Sequence, residues 1–357
     1  MTSDKKYNRV RELTVIVFSF LLAAVFLFYA LYGVEFKGVA AILKRASFFW
    51  IAVLCFTNLV SHYLRAIRWK VMLKSVKPGV SVTNLFGALM VGYGVNCVIP
   101  RLGEISRAVL LGKWEKLSRT AMFGTVIVER VIDMMAFAAA LLIGILIWDG
   151  NIYKEFPWLR ITLYLAAFGL SAFIILLLLV IRFKDRFYRI IVLTAGRISP
   201  AVSEKLQHMF EMLVDGFSSL KGTRNYIYTF LFTIAIMVMY AVNSYVGFFT
   251  LGIEKISTVT FAMGWVMMAI SSIGVVIPTP GGTGSYHTIA RSVLVLLFGL
   301  SEEISVAYAV LTHIISYVIF IAAALFFFFY LNKKYSRGTG RSENLVDFLE
   351  TNMEKGM

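Results

Sequence analysis

Apolar residues fall in long blocks along this chain, at 13–32, 47–64, 84–111, 119–148, 159–181, 226–251, 257–299 and 303–331. About twenty apolar residues is the length at which an α-helix crosses a hydrocarbon core, whereas strands of a membrane barrel read as short alternating dyads. The pattern therefore predicts an all-α polytopic membrane protein. Two blocks are interrupted: the third at Val98-Ile99-Pro100-Arg101-Leu102-Gly103-Glu104, and the seventh at Ile277-Pro278-Thr279-Pro280-Gly281-Gly282-Thr283-Gly284. Proline removes a helical hydrogen bond and glycine caps what remains, so each is expected to be two half-helices around an irregular link, a re-entrant hairpin. About six full spans and two broken-helix hairpins result.

Composition agrees with that reading. Of 357 residues 59% are hydrophobic and 15% charged, against about a quarter charged in soluble domains. That excludes a soluble enzyme, and 30 Phe against 6 Pro exclude a disordered or collagen-like chain. The net charge of +15 is distributed as a membrane topology distributes it and comes with no nucleic-acid-binding motif. If both interrupted blocks return to the side they left, 25 of the 35 Lys and Arg lie on one side, 6 on the other and 4 within apolar blocks. The positive-inside rule then puts both termini in the cytoplasm, in the cytoplasmic (inner) membrane. The chain divides into halves at about 1–148 and 159–331, each with two spans, a hairpin and a span. They start on opposite sides, so the hairpins enter from opposite faces. An inverted repeat with paired broken helices points to a transporter with its site near the midplane.

The residues 1–331 are thus expected to form one transmembrane domain. The basic N-terminus and the apolar block after it read as a retained first span, because the block is too long for a signal-peptide core. Residues 182–224 carry apolar side chains at helical spacing from Leu206 to Leu220, predicting a cytoplasmic amphipathic helix. Residues 332–357 form a polar cytoplasmic tail. Cys55 and Cys97 lie within apolar blocks and read as packing residues.

Ionisable groups at membrane depth cost about 2.5 to 3.5 kcal/mol each on insertion scales, so those present need partners or a purpose. Arg101, Glu104 and Arg107 follow Pro100 at intervals of three, and Glu129, Arg130 and Asp133 share one arc of the next span. The two triads carry +1 and −1. One reading is a self-neutralising network that pins the first hairpin to the following span. The other leaves an arginine available to a lipid phosphate, which guanidinium grips bidentately. At the second hairpin Gly281, Gly282 and Gly284 permit close approach of backbone to a ligand. His287 and His313 flank that region and form a candidate proton-sensing pair, or simply hydrogen-bond within the bundle. Arg65, Arg68 and Trp69 read as interfacial anchors, and Asn58 and Asn96 as interhelical glue. No P-loop, HExxH or nucleophile elbow occurs, and no metal or cofactor motif.

The run Asn96 to Glu104 with Arg107, then Glu129-Arg130 with Asp133, then Pro280 to Gly284, resembles the lysylphosphatidylglycerol synthase/flippase-like transmembrane family over about residues 10 to 331. The resemblance implies the membrane half of such synthases, without the soluble aminoacyl-transfer domain. It also implies that Arg101, Glu104, Arg107, Glu129, Arg130 and Asp133 form the polar site of the first hairpin and Pro280 to Gly284 that of the second. The chain departs from the family at Tyr286-His287, where a glutamate is usual, and at His313, where arginine is common. The expected function is transfer of an anionic or phosphate-bearing lipid, such as a phospholipid or polyprenyl-linked lipid, between leaflets. Envelope-biosynthesis enzymes are the expected protein partners. A membrane-embedded lipid-headgroup enzyme and a structural scaffold are the alternatives.

Overall fold

The computed structural model describes residues 2–182 and 222–336, and all regular structure among them is helical. The expected amphipathic helix at 182–224 lies almost wholly outside the described residues, as does the tail beyond Ser336. In chain order the helices are α1 (Thr2–Leu31), α2 (Phe36–Lys44), α3 (Phe48–Leu73), α4 (Val82–Val98), α5 (Leu102–Glu115), α6 (Arg119–Ile147), α7 (Ile152–Glu155), α8 (Pro157–Arg182), α9 (Thr223–Thr250), α10 (Phe261–Val276), α11 (Ser285–Ser292) and α12 (Glu302–Ser336). Five of them, among the described residues, are long and apolar enough to cross a membrane: α1, α3, α6, α9 and α12. The chain is a multi-helix membrane protein.

Both interrupted blocks are broken where proline and glycine foretell it. Helix α4 ends at Val98, Ile99 is extended, and Arg101 takes a left-handed conformation with φ 67° before α5 begins. The Asn96 side chain accepts the Gly103 N–H at 2.8 Å, satisfying one of the donors that a helix start leaves open. Helix α10 ends at Val276, and a 3-10 turn over Pro280–Gly282 leads to α11, with Gly281, Gly282 and Gly284 all at positive φ. Ser285 stitches that break: its hydroxyl donates to the Gly274 carbonyl at 2.6 Å and lies 2.9 Å from the Thr279 hydroxyl.

Each broken helix has its own apolar core. Around the first, Trp69, Leu85, Leu89, Leu111, Trp114 and Leu331 close a cluster between α3, α4, α5 and α12. Around the second, Phe248, Met267, Ile270, Val293, Leu294 and Tyr308 join α9, α10 and α12 to the turn after α11, where Val293–Leu297 winds as a π-helix. Helix α3 packs on α9 between the two cores. Two elements depart from the expected pattern. Helix α2, in the first short loop, buries Val39 and packs on α12. Helix α3 runs on to Leu73, well past the apolar block that ends at 64, because the polar residues there turn inward and not toward a headgroup layer.

Candidate functional site

Charged residues from three helices meet in the interior. On α3, Arg65 and Arg68 are buried, at 4% and 0% exposure, so neither is the interfacial anchor its position suggested. Trp69 is buried too, and its indole N–H donates to Thr125 at 3.1 Å. The two arginines converge on the carboxylates of α6. Arg65 Nη2 donates to Glu129 Oε1 at 2.6 Å and also pairs with Asp133, while its Nη1 donates to the Tyr240 hydroxyl at 3.1 Å. Arg68 pairs with Asp133 and, at 3.3 Å, with Glu129, and donates Nη1 to Thr233 at 3.1 Å. From α5, Arg107 Nη1 reaches the other Glu129 oxygen at 2.7 Å, and its guanidinium lies 5.1 Å from the centre of the Trp69 ring.

A second, outer contact joins the same helices. Arg130 Nε stands 3.1 Å from Glu104, with both side chains about one-third exposed, and Arg130 Nη2 is 3.9 Å from Asp133. The cluster therefore holds Arg65, Arg68, Arg107 and Arg130 against Glu104, Glu129 and Asp133, one positive charge in excess. Buried charges are tolerated where ion pairs and hydrogen bonds replace water. Glu129 and Asp133 meet that condition several times over. Arg107 does not, since its Nε and Nη2 are buried without a hydrogen-bond partner among the described residues.

Of the six charged residues singled out from the sequence, five meet in this cluster and Arg101 stays apart. Arg101 is exposed at the tip of the first break, where with Pro100 it lines a groove of about 330 Å³ shared with Phe18 and Ser19 of α1 and Pro278 of the second break. The cluster's other half, Arg65 and Arg68, was misread in the sequence. The signal was there: Asn58, Ser61, His62, Arg65, Arg68 and Trp69 recur at helical spacing, which marks one polar face on an otherwise apolar helix.

At the second break the glycines are closed against protein. A Cβ on Gly284 would collide with the backbone of α1 at Ala23, and one on Gly281 with the Tyr317 ring. His287 and His313 face each other with ring centroids 4.5 Å apart. The Gly284 N–H donates to His287 Nδ1 at 3.3 Å, and His313 Nε2 lies 3.3 Å from the Thr283 hydroxyl. Tyr317 ties the two breaks together, donating to the Pro280 carbonyl at 2.6 Å and lying 3.4 Å from the Cys97 carbonyl.

Residues 16–324 match the family described as the lysylphosphatidylglycerol synthase TM region. Among similar proteins, a UPF0104 membrane protein of Methanothermobacter thermautotrophicus is 25% identical over 324 residues, covering 86% of this chain and 91% of its own length. One from Pyrococcus horikoshii is 23% identical over 330 residues, covering 86% of this chain and 93% of its own. Glycosyltransferase AglD of Haloferax volcanii is 24% identical over 328 residues, 85% of this chain but only 52% of that protein.

Proposed function

The chain belongs to the lysylphosphatidylglycerol synthase TM region family, and from that premise we propose that it carries a phosphate-bearing or anionic lipid between the leaflets of the cytoplasmic membrane, both termini facing the cytoplasm. The observation that carries the reading is the buried arginine–carboxylate cluster, with its excess positive charge and the unmatched edge of Arg107. An unpaired guanidinium edge in a low-dielectric interior is matched by a phosphate diester, which offers two acceptor oxygens in one plane. The partly exposed Glu104–Arg130 pair is the outer latch between α5 and α6. Opening it exposes Arg107 to a headgroup while the acyl or prenyl tails stay in lipid.

Architecture supports the same reading. Exchange α1, α3, α4, α5 and α6 for α8, α9, α10, α11 and α12, and most of the packing survives. The α3–α9 contact maps onto itself, α4–α12 becomes α10–α6, and α5–α6 becomes α11–α12. That pairing supports an inverted repeat whose broken helices are re-entrant hairpins, the arrangement that alternates access by rocking one half against the other. Among the described residues the α1–α11 and α2–α12 contacts have no counterpart of similar extent in the other half, so α1 and α2 break the symmetry.

The test uses the full chain in vesicles of phosphatidylethanolamine and phosphatidylglycerol bearing fluorescent phosphatidylglycerol. The wild type should expose the inner-leaflet probe to an impermeant quencher faster than protein-free vesicles do, and Arg107→Gln should slow exchange by about tenfold or more, the loss of one charge-assisted hydrogen bond. Exchange no faster than in protein-free vesicles would overturn the reading. The resemblance to a glycosyltransferase over about half that protein's length supports a second reading, a membrane-embedded part of a lipid-headgroup transfer enzyme. It requires a covalently altered lipid headgroup in the same vesicles when a sugar donor is added.

A further inference from the structure

The tips of both broken helices open beside α1 onto one groove of about 330 Å³. Val15, Phe18 and Pro278 make its apolar walls, and the only charge among its described lining residues is Arg101. An arginine at membrane depth is costly unless it finds a partner or a polar layer. Arg65, Arg68, Arg107 and Arg130 each meet a carboxylate. Arg101 makes no ion pair and no side-chain hydrogen bond among the described residues.

Its backbone is costly as well. Arg101 has φ 67°, a left-handed conformation that glycine adopts freely and other residues seldom do, so the guanidinium is what an arginine adds there. The backbone donors that open α5 are already engaged: Leu102 N–H donates to the Ile99 carbonyl, Gly103 N–H to the Asn96 side chain and Glu104 N–H to the Arg101 carbonyl. The anion-attracting group of the groove is therefore the Arg101 side chain and not the helix end. Depth assigns a leaflet. The apolar window of α1 runs over Thr14–Leu31, and at about 1.5 Å per residue Phe18 lies about 6 Å inside its start. From such a depth an arginine side chain extends to the phosphate layer. The groove thus belongs to the leaflet at which the apolar part of α1 begins, the cytoplasmic one in the topology proposed above.

We propose that this groove is a lateral docking site, at which a phosphate-bearing lipid of that leaflet seats its headgroup on Arg101 before the headgroup moves on to the Glu104–Arg130 latch. A phosphodiester presents two acceptor oxygens that match the paired N–H groups of a guanidinium. Val15, Phe18 and Pro278 give the first part of its chains an apolar wall. A lipid seated there touches both broken helices at once, Pro100 and Arg101 on one side and Pro278 on the other. Arg101, Glu104 and Arg107 follow one another at steps of three residues, about 4.5 Å of helical rise each. The docked headgroup next meets the partly exposed latch, and behind it the unmatched edge of Arg107. The place of the groove ahead of the latch rests on the lipid-transport reading, whereas the docking site does not.

The test places the full chain in vesicles of digalactosyldiacylglycerol, a lipid without phosphate, with a trace of phosphatidylglycerol bearing a photoreactive diazirine. Mass spectrometry should find label on the Thr14–Ser19 segment and around Pro278. Arg101→Gln should cut that labelling by about tenfold or more, the loss of a charge-assisted contact. Arg101→Lys should fall between, since an ammonium is a point charge and not a fork. Arg101 is exposed and unpaired, so both variants should melt with the wild type. Excess unlabelled phosphatidylglycerol should displace the probe, whereas glycerol phosphate in solution should not. Labelling unchanged in Arg101→Gln, matched by a diazirine-bearing diacylglycerol, or displaced by glycerol phosphate would overturn the docking site. Exchange of fluorescent phosphatidylglycerol separates the two readings. Arg101-dependent labelling with wild-type exchange no faster than in protein-free vesicles sinks the transport reading and leaves the docking site, and exchange with labelling indifferent to Arg101 does the reverse. Exchange undiminished in Arg101→Gln removes the groove from the transport route.

Discussion

Arg107 donates Nη1 to Glu129 Oε2 at 2.7 Å, seven residues after Pro100, and His287 meets His313 at a ring separation of 4.5 Å, seven residues after Pro280. The second limb of each broken helix is thus joined to the following long helix at the same distance from its break. In the first joint the contact is a buried ion pair. In the second it is a pair of imidazoles, which carry no fixed charge.

The cluster behind the first joint makes a ranked prediction. Arg68 is fully buried and holds Asp133, Glu129 and Thr233. Arg68→Gln should remove a fully buried partner of both carboxylates, leaving Asp133 to Arg65 and the more distant Arg130, and destabilise the protein by about 3 kcal/mol, the lower end of the usual cost of breaking a buried pair. Arg107→Gln should cost less, because Glu129 keeps Arg65 and Arg68. Melting in detergent, with and without added phosphatidylglycerol, checks this. The Arg107 variant should lose lipid-dependent stabilisation while the wild type shows it. A larger loss of stability at Arg107 than at Arg68 would reverse the assignment.

Close packing of α4 on α5 makes Gly103 a sensitive position. A Cβ there would run into the Gly92 carbonyl and come within 2.7 Å of the Asn96 amide that caps α5. Gly103→Ala should force the limbs of the first broken helix apart and lower the melting temperature by several degrees, an overpacking penalty of roughly 1 to 3 kcal/mol. Gly169→Ala on α8, where a Cβ meets nothing within 4 Å, is the control and should melt no lower than the wild type.

Acid should weaken the end of α5 through Glu115, which lies outside the five candidate spans. Lys77 donates to it at 2.8 Å, Asn84 at 2.6 Å and the Ser81 N–H at 3.2 Å. Burial works against the charged form, but these bonds outweigh it and hold the carboxyl below its ordinary value of 4.5. A depressed carboxylate value gives stability that is fully present above the unfolded value and is lost as pH falls through the folded one. The melting difference between the wild type and Glu115→Gln should therefore be constant above about pH 5 and close as pH drops below the ordinary carboxylate range. A difference unchanged by acid would remove the carboxylate from this role.

Topology yields a further outcome. If both broken helices return to the side they left, 23 basic residues, Arg65 and Arg68 of the buried cluster set apart, lie on one side and 6 on the other. A cysteine at Lys116, between α5 and α6, should then be shielded from an impermeant thiol reagent added outside. A cysteine at Lys37 on α2 should react. Labelling of both from the same side would remove the re-entrant reading of the first broken helix.

The one-dimensional pattern was enough to locate the long helices to within a few residues at most ends, and to place both breaks. Those features are local: hydrophobic length decides whether a helix is stable in lipid, and Pro100, Pro280 and the glycines after them end helices through their own backbone geometry. Glu104, Arg107, Glu129, Arg130 and Asp133 were legible as a group for the same reason, since charge within an apolar block stands out whatever it touches. Arg65 and Arg68 were not, because an arginine at the end of an apolar block looks the same whether it reaches out to headgroups or turns in.

What the sequence by itself determined is an all-helical membrane chain with two interruptions and a set of intramembrane charges, because each follows from the solvation of a residue and its near neighbours. Only the tertiary structure decided which charges meet. It brought α3 against α6 and α9, so that Arg65 and Arg68 neutralise Glu129 and Asp133, left Arg101 outside, and set His62 inside a polar stripe. The physical reason is that the direction in which a helix face points is fixed by packing against helices distant in sequence, and the energy of a buried charge depends on what it meets there.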